Sequence, residues 1–412
     1  MKIKKFLSLF FSVSDDKGSH NVVIWICWMH FFWGMASSMG FSLLPVFIVD
    51  KLGGNSRSFG LLEGSVILLS FTAKLFSGII MDMFKKKLPI FKAGSILTIF
   101  SKVFLTSAPN VLFVFIAKSI DRFAKGLRQG PSDAILAELA AKKGLAYSLR
   151  HMMNLSGFFV GSIITSAIVY LLGQNFRLIF AIAIIPSSIA LYIFQYKIKY
   201  DDVPPNEENE KQKWNIRDIT KMPKEYWSFT IVIVLLMFNR FSEGFITLRA
   251  KEVLPEYVGS FPIFMSFYEI CAILVSIPIG KISDKFDKRK MLLCGICIIM
   301  LADIFGMFAN NLLTIILIYI FAGIHIGATQ GLIGSMIAKT AQKHLIGTAF
   351  AIYYGIDGIT LFLANNLAGI SSSLAKVVGL QDSAGPFIFG FISSSLAVLY
   401  ILKWIKRKTL SA

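Results

Sequence analysis

Gly78-Ile79-Ile80-Met81-Asp82, followed by Lys85-Lys86-Lys87, returns in the second half as Gly280-Lys281-Ile282-Ser283-Asp284 with Lys288-Arg289-Lys290. The glycine and the aspartate repeat at one common offset. A second pair, Gly126-Leu127-Arg128-Gln129-Gly130 and Gly327-Ala328-Thr329-Gln330-Gly331, repeats at nearly the same offset. Two independent matches indicate a duplicated unit, and each lies in or beside an apolar run long enough to cross a bilayer. The repeat therefore predicts two homologous helical bundles.

The composition around the repeat agrees. Of 412 residues, 55% are hydrophobic and 16% charged, too few charges to cover a soluble domain of this length. At about 20 residues per crossing, the chain has room for a dozen crossings and short loops. The predicted spans are 21–48, 57–81, 89–107, 111–139, 146–172 and 175–195, then 227–249, 262–282, 291–309, 312–340, 346–373 and 385–404. The expected fold is an all-α polytopic membrane protein, with twelve transmembrane helices in two pseudo-symmetric six-helix bundles. Its parts are a tail at 1–20, bundles at 21–196 and 227–404, a linker at 197–226 and a tail at 405–412.

A net charge of +18 would suggest nucleic acid in a soluble chain; here it reads as topology. Lys4-Lys5, Lys142-Lys143, Lys197 and Lys406-Arg407-Lys408 share one side with the two basic clusters already quoted. Asp50-Lys51, Asn110, Asn175, Glu252, Asn310-Asn311 and Asp382 fall on the other. Both termini and the linker are thus expected in the cytoplasm, at a cell inner membrane. The start imitates a signal peptide, but its apolar part is short and Asp15-Asp16-Lys17 follows, so it reads as a retained tail. Cys27, Cys271, Cys294 and Cys297 lie in apolar runs and read as buried, reduced thiols. No cofactor or metal is expected.

Gly-x3-Asp with a basic cluster after span two, repeated after span eight, resembles the signature loop of the major facilitator superfamily. Arg122-x3-Gly126-x3-Gly130 is similar to its span-four motif. The first loop departs from the usual pattern at Met83 and Lys85. The fuller stretch Asp121-Arg122-Phe123-Ala124-Lys125-Gly126-Leu127-Arg128, continuing to Pro131, Asp133 and Ala134, resembles a bacterial branch of the superfamily. The resemblance implies a secondary transporter with a solute site near the midplane between two bundles that rock. Independently of family, an aspartate at a helix end can pair with a neighbouring cation in one conformation and release it in another. Gly78, Asp82, Arg128, Asp133, Arg150, Gly280, Asp284 and Arg289 are the expected gating residues; Arg128 and Arg150 are expected to pair with Asp82 and Asp133 if they serve the gate.

Ionised groups inside a span need a wet cavity or a partner, so each is a candidate site. Lys118, Asp121, Lys125 and Arg128 fall on one stripe of span four, with Arg122 beside it, and Asp121 and Lys125 have the acid-first spacing of a pair. Candidate substrate contacts are Arg122, Lys118, Asp121, Lys125, Asn154, Arg240, Glu269, Tyr353 and His30. Arg240 and Glu243, three apart, could pair with each other. Candidate coupling groups are Asp121, Glu243, Glu269, Asp357 and His325, because coupling needs a group that changes protonation between states. The glycines of spans four and ten form small-xxx-small faces for close helix approach.

The excess of cations in span four suits an anionic or zwitterionic solute such as a carboxylate or metal chelate, with protons as the expected driving ion. Drug exporters of the superfamily resemble one another in a Gly-Pro step in span five. Asn154-Leu155-Ser156-Gly157-Phe158-Phe159-Val160-Gly161-Ser162 has no proline, which favours uptake over the alternative, export of lipophilic compounds. No G-x4-G-K-[ST], HExxH or GxSxG occurs, which disfavours an ATP-driven pump or an enzyme. The expected partners are a small-molecule substrate, H+ and the lipid bilayer, with no nucleic acid and a functional monomer.

Overall fold

A computed structural model describes residues 17–84, 87–140, 143–200, 222–282, 286–340, 346–377 and 379–409. Its regular elements are helical throughout the described residues. They are α1 (Lys17–Phe41), α2 (Leu44–Asp50), α3 (Ser56–Phe84), α4 (Leu88–Thr106), α5 (Val111–Leu139), α6 (Lys143–Leu172), α7 (Phe176–Ile182) and α8 (Ile184–Lys197). They continue as α9 (Lys224–Met237), α10 (Gly244–Val253), α11 (Phe261–Ile282), α12 (Lys288–Met307), α13 (Leu312–Thr340), α14 (Ile346–Val377) and α15 (Gly385–Thr409). Short 3-10 turns cover Pro255–Ser260 and Asp382–Ala384.

Eight helical stretches among the described residues are long and apolar enough to cross a membrane. Two of the other expected spans, 111–139 and 227–249, miss that test for visible reasons. Span four carries Lys118, Asp121, Arg122, Lys125 and Arg128, and span seven is two helices, α9 and α10, separated by an unwound segment at 238–243.

Asparagine starts several of these helices. The side-chain oxygens of Asn55, Asn110, Asn175 and Asn311 accept from the backbone N–H of Ser58, Phe113, Leu178 and Thr314 at 2.9–3.2 Å. Each cap satisfies an N–H that a helix leaves open at its start. On the outer faces, Leu112, Tyr170, Leu274, Leu313, Leu396 and Leu399 remain exposed on the protein surface, as hydrocarbon contact requires. Cys27 is buried, but Cys294 and Cys297 lie exposed on α12 and are not the buried thiols expected from the sequence.

The chain divides into two compact units, residues 1–43 with 69–209 and residues 44–68 with 210–412. In the first, α1 and α6 cross closely, because a Cβ at Gly34 would fall 2.2 Å from the Asn154 carbonyl oxygen and one at Gly157 only 1.9 Å from that of Phe31. The core beneath is aromatic: Trp33 meets Phe91 at 5.8 Å and Phe91 meets Phe194 at 5.1 Å between ring centres. In the second unit, the first turns of α3 cross α14 through Gly60 and Gly369, whose Cβ positions would strike the backbone oxygens of Asn365 and Ser56 at 2.3 and 2.8 Å. An ion pair between Asp50 and Lys251 and an edge contact between Phe59 and Phe245 at 5.2 Å hold the same end.

The span-ten glycines split in two. Gly323 and Gly327 face the backbone of Tyr268 and Ala272, while Gly331 and Gly334 have nothing within 4 Å of a Cβ. Only the first pair permits a close helix approach, so the predicted face is half as long as the motif. Gly157→Ala should therefore cost about 1–3 kcal/mol through overpacking, whereas Gly331→Ala should be neutral or slightly stabilising. Thermal unfolding of the two purified variants checks this.

Candidate functional site

In each unit several intramembrane polar groups meet in a cluster. In the first unit, Asp121 of α5 does not pair along its own helix with Lys125. It accepts from Nζ of Lys102 on α4 at 3.0 Å and from the Ser101 hydroxyl at 3.2 Å. Both charged side chains are almost fully buried. Lys102 is the residue that sequence reading missed; its only signal was a cation inside an apolar run. A pair sealed between two helices loses less to water than one on a single helix face, which explains the choice of partner.

The same cations crowd one ring. Phe41 at the end of α1 has the Lys102 Nζ 3.9 Å, the Lys118 Nζ 5.2 Å and the Arg122 guanidinium carbon 5.8 Å from its centre. The Arg122 Nε is buried with no hydrogen-bond acceptor among the described residues. Lys118 is buried and Lys125 half-buried. Arg128 stacks over Trp33 at 4.2 Å and donates to the Thr98 hydroxyl, so it is not a partner of Asp133. Asp133 instead pairs with Arg150 at 2.7 Å. His30 Nε2 lies 3.0 Å from the Ser132 hydroxyl, and the Asn154 amide donates to the His30 carbonyl at 3.0 Å, tying α6 to α1.

In the second unit the cluster forms around the unwound segment. Arg240 does not turn to Glu243. Its Nε donates to His325 Nε2 at 3.3 Å, and its two terminal nitrogens donate to the Gln330 side-chain oxygen at 3.0 Å and to the Thr329 hydroxyl. His325 Nδ1 lies 2.7 Å from the Gly295 carbonyl. With Nδ1 donating there and Nε2 accepting from Arg240, the ring is the neutral Nδ1–H tautomer, a bridge with both nitrogens in use. Glu243 accepts from the Tyr268 hydroxyl at 3.1 Å. Glu269 is buried next along α11, within electrostatic reach of Glu243, and one of its oxygens has no hydrogen-bond donor among the described residues. Tyr353 and Asp357, one turn apart on α14 and mostly buried, lie within reach of Arg240.

Of the expected gating residues, Asp284 lies outside the described residues, and so do the surroundings of Gly78, Asp82 and Gly280. Arg289 donates to Asp287, the N-cap of α12, at 3.0 Å and sits 5.5 Å from the Trp404 ring centre. Burial alone would raise the Asp287 carboxyl; hydrogen bonds from the Arg289 side chain and backbone N–H outweigh it and hold the group below the usual range.

Helices long enough to cross a membrane, with buried ionisable groups gathered inside each unit, make this a multi-pass membrane protein. The Major Facilitator Superfamily profile matches residues 26–254 and 256–411, and the chain belongs to that family. It is a transporter and not an enzyme. A relative from Methanocaldococcus jannaschii, the uncharacterized MFS-type transporter MJ1317, is 25% identical over 395 residues, covering 94% of this chain and 96% of the relative. The fold is also that of a mutant of the nucleoside transporter NupG (TM-score 0.80, 12% identity, 93% of this chain and 99% of that one). A POT family transporter solved with 5-aminolevulinic acid is similar as well (TM-score 0.70, 13% identity, 93% and 95%). At such identities the likeness to solved structures concerns the fold.

Proposed function

We propose that the protein is a proton-coupled secondary transporter that takes up a small anionic or zwitterionic solute by alternating access. In this reading twelve spans form two six-helix halves in the cell inner membrane, with both termini cytoplasmic and a monomer as the working unit. The observation that carries the solute class is the chemistry of the two clusters. In the first unit the buried charges are Lys102, Lys118 and Arg128 against Asp121 among the described residues, a cationic surplus suited to a carboxylate. In the second, Glu243, held by the Tyr268 hydroxyl, and the buried Glu269 lie within electrostatic reach of each other, carboxyl groups that suit an ammonium. Groups of these two kinds are what recognise the carboxylate and the ammonium of a zwitterion. 5-Aminolevulinic acid, bound by one protein of this fold, is such a molecule.

Arg240 is the residue through which solute recognition is best tested. Its fork is aimed by three acceptors on one helix, a geometry that a lysine cannot reproduce. Arg240→Ala and Arg240→Lys should both reduce uptake of labelled 5-aminolevulinic acid into proteoliposomes more than tenfold, since losing such a buried charged group costs about 2–5 kcal/mol of binding. Uptake is compared at equal amounts of folded protein, because removing the fork also strips His325 and Thr329 of a donor. An imposed inward pH gradient should drive accumulation in the wild-type protein. Outward movement of lipophilic cations alone, with no uptake of carboxylates or zwitterions, would overturn the reading.

A further inference from the structure

Neither cluster contains Asp303, the most enclosed carboxyl of the second unit. It sits on α12, one turn before the helix ends, and is 1% exposed. Its Oδ2 accepts from the Asn239 amide nitrogen at 2.7 Å, and the same nitrogen donates to the Ser394 hydroxyl on α15 at 2.7 Å. No charged side chain acts on Asp303 among the described residues. From α15 it faces Ser394 and the backbone at Gly390; from the unwound segment it faces Asn239. From α13 the same stretch of α12 receives Phe321, stacked on Phe305, while the Tyr319 hydroxyl is engaged by Thr247. Arg249 reaches the end of α12 but is committed to backbone carbonyls there.

Two acceptors converge at this point. The Asn239 Oδ1 is buried without a donor among the described residues, and it and Asp303 Oδ1 lie 2.0 and 3.0 Å from where a Cβ of Gly390 would stand. Glycine is required there because the polar groups occupy that space. The cluster holds more acceptor oxygens than hydrogens to fill them, and an added proton supplies a missing donor. An ionised carboxylate with one neutral donor and no cation would carry a cost of several kcal/mol inside the membrane. Asn239 is also the residue immediately before Arg240. One peptide link in an unwound stretch thus joins the Asp303 site to the guanidinium that His325, Thr329 and Gln330 hold.

We propose that Asp303 is the group that binds and releases the coupling proton, and that Asn239 passes its state to Arg240. This rests on the proton-coupled reading above. Protonated, Asp303 donates a hydrogen bond within the cluster; deprotonated, it draws the Asn239 amide more strongly and shifts the unwound segment that carries Arg240. The proton enters and leaves as H+, and no bond other than O–H is made or broken.

The test is an acid-minus-alkaline infrared difference spectrum of the full-length protein in vesicles, with the proton as the probe. A protonated-carboxyl band that titrates in wild type and is missing in Asp303→Asn is expected. An unaltered band in the variant, or no titrating carboxyl at all, overturns the proposal. Should the variant fold poorly, wild-type protein grown with carboxyl-labelled aspartate answers the question, because the titrating band must then shift on labelling. With labelled 5-aminolevulinic acid, Asp303→Asn should keep exchange of labelled for unlabelled solute but lose at least tenfold of pH-driven accumulation. Retained pH-driven accumulation in the variant overturns the role of Asp303 alone. Wild-type transport indifferent to pH overturns proton coupling itself.

Discussion

Asp121→Ala is expected to yield little folded protein. Its carboxylate is the partner of Lys102, and both side chains are out of contact with solvent. Removing one member of a buried ion pair leaves an uncompensated charge and costs about 3–5 kcal/mol, a large part of the roughly 5–15 kcal/mol that a folded domain has in total. The remaining Lys102 ammonium would face Phe41, Lys118 and Arg122, so the ring gives partial relief and the two cations oppose it. Asp121→Asn should lose less, because its side-chain oxygen still accepts from Nζ. The double variant Lys102→Met with Asp121→Ala should recover much of the stability, since a matched apolar pair removes both desolvation costs. Unfolding temperature and the yield of monodisperse protein measure all three. Wild-type stability in Asp121→Ala would show that Lys102 reaches water or another acceptor. Transport by a stable double variant would remove Asp121 from the coupling candidates, leaving it a scaffold charge.

Arg249→Ala should have the second largest effect, for a different reason. Arg249 is on α10 in the second unit and gathers the open end of α12. Its Nε donates to the Gly306 carbonyl at 2.8 Å, and one terminal nitrogen donates to those of Met307 and Ala309 at 3.2 and 3.0 Å. The other terminal nitrogen reaches the Gln381 side-chain oxygen at 2.5 Å and the Ser383 hydroxyl at 3.3 Å. A helix ends with carbonyls that lack N–H partners and with a partial negative charge, and one guanidinium answers both. Alanine would leave these carbonyls buried and unsatisfied, at about 1–3 kcal/mol each, so a loss of at least about 3 kcal/mol is expected. Arg249→Lys should recover only part of it, because one ammonium cannot reach both sides of the fork. Glu252→Gln is the control. Glu252 is 3.9 Å from the guanidinium and about a third exposed, so its charge should contribute no more than about 1 kcal/mol. A mild Arg249→Ala would mean that water replaces the guanidinium at the α12 end.

The candidate site was legible in part, and the part follows a rule. Lys118, Asp121, Arg122, Arg240, Glu243, Glu269 and His325 could be found because an ionisable residue in an apolar run stands out whatever it touches. Lys102 and Asp303 obey the same rule and were missed, each standing well apart from the other charges of its helix with no motif immediately beside it. Partners were harder. Spacing along one helix suggested Asp121 with Lys125 and Arg240 with Glu243, yet Asp121 goes to α4 and Arg240 to α13. Local spacing measures only contacts along one helix. The stronger pair is the one better shielded from water, and shielding is made by another helix.

Hydropathy, the recurring glycine and aspartate, and the distribution of lysines are properties of consecutive residues, so the string of amino acids alone was enough to assign a duplicated helical membrane protein and to mark its costly charges. Three-dimensional packing decided which charges meet. It unwound 238–243, which aims Arg240 at one helix and Asn239 at Asp303, and it grouped residues 44–68 with 210–412. The reason is range: transfer into hydrocarbon is a sum over single residues, whereas an ion pair, a glycine contact or a helix break depends on what a distant segment brings within a few ångströms.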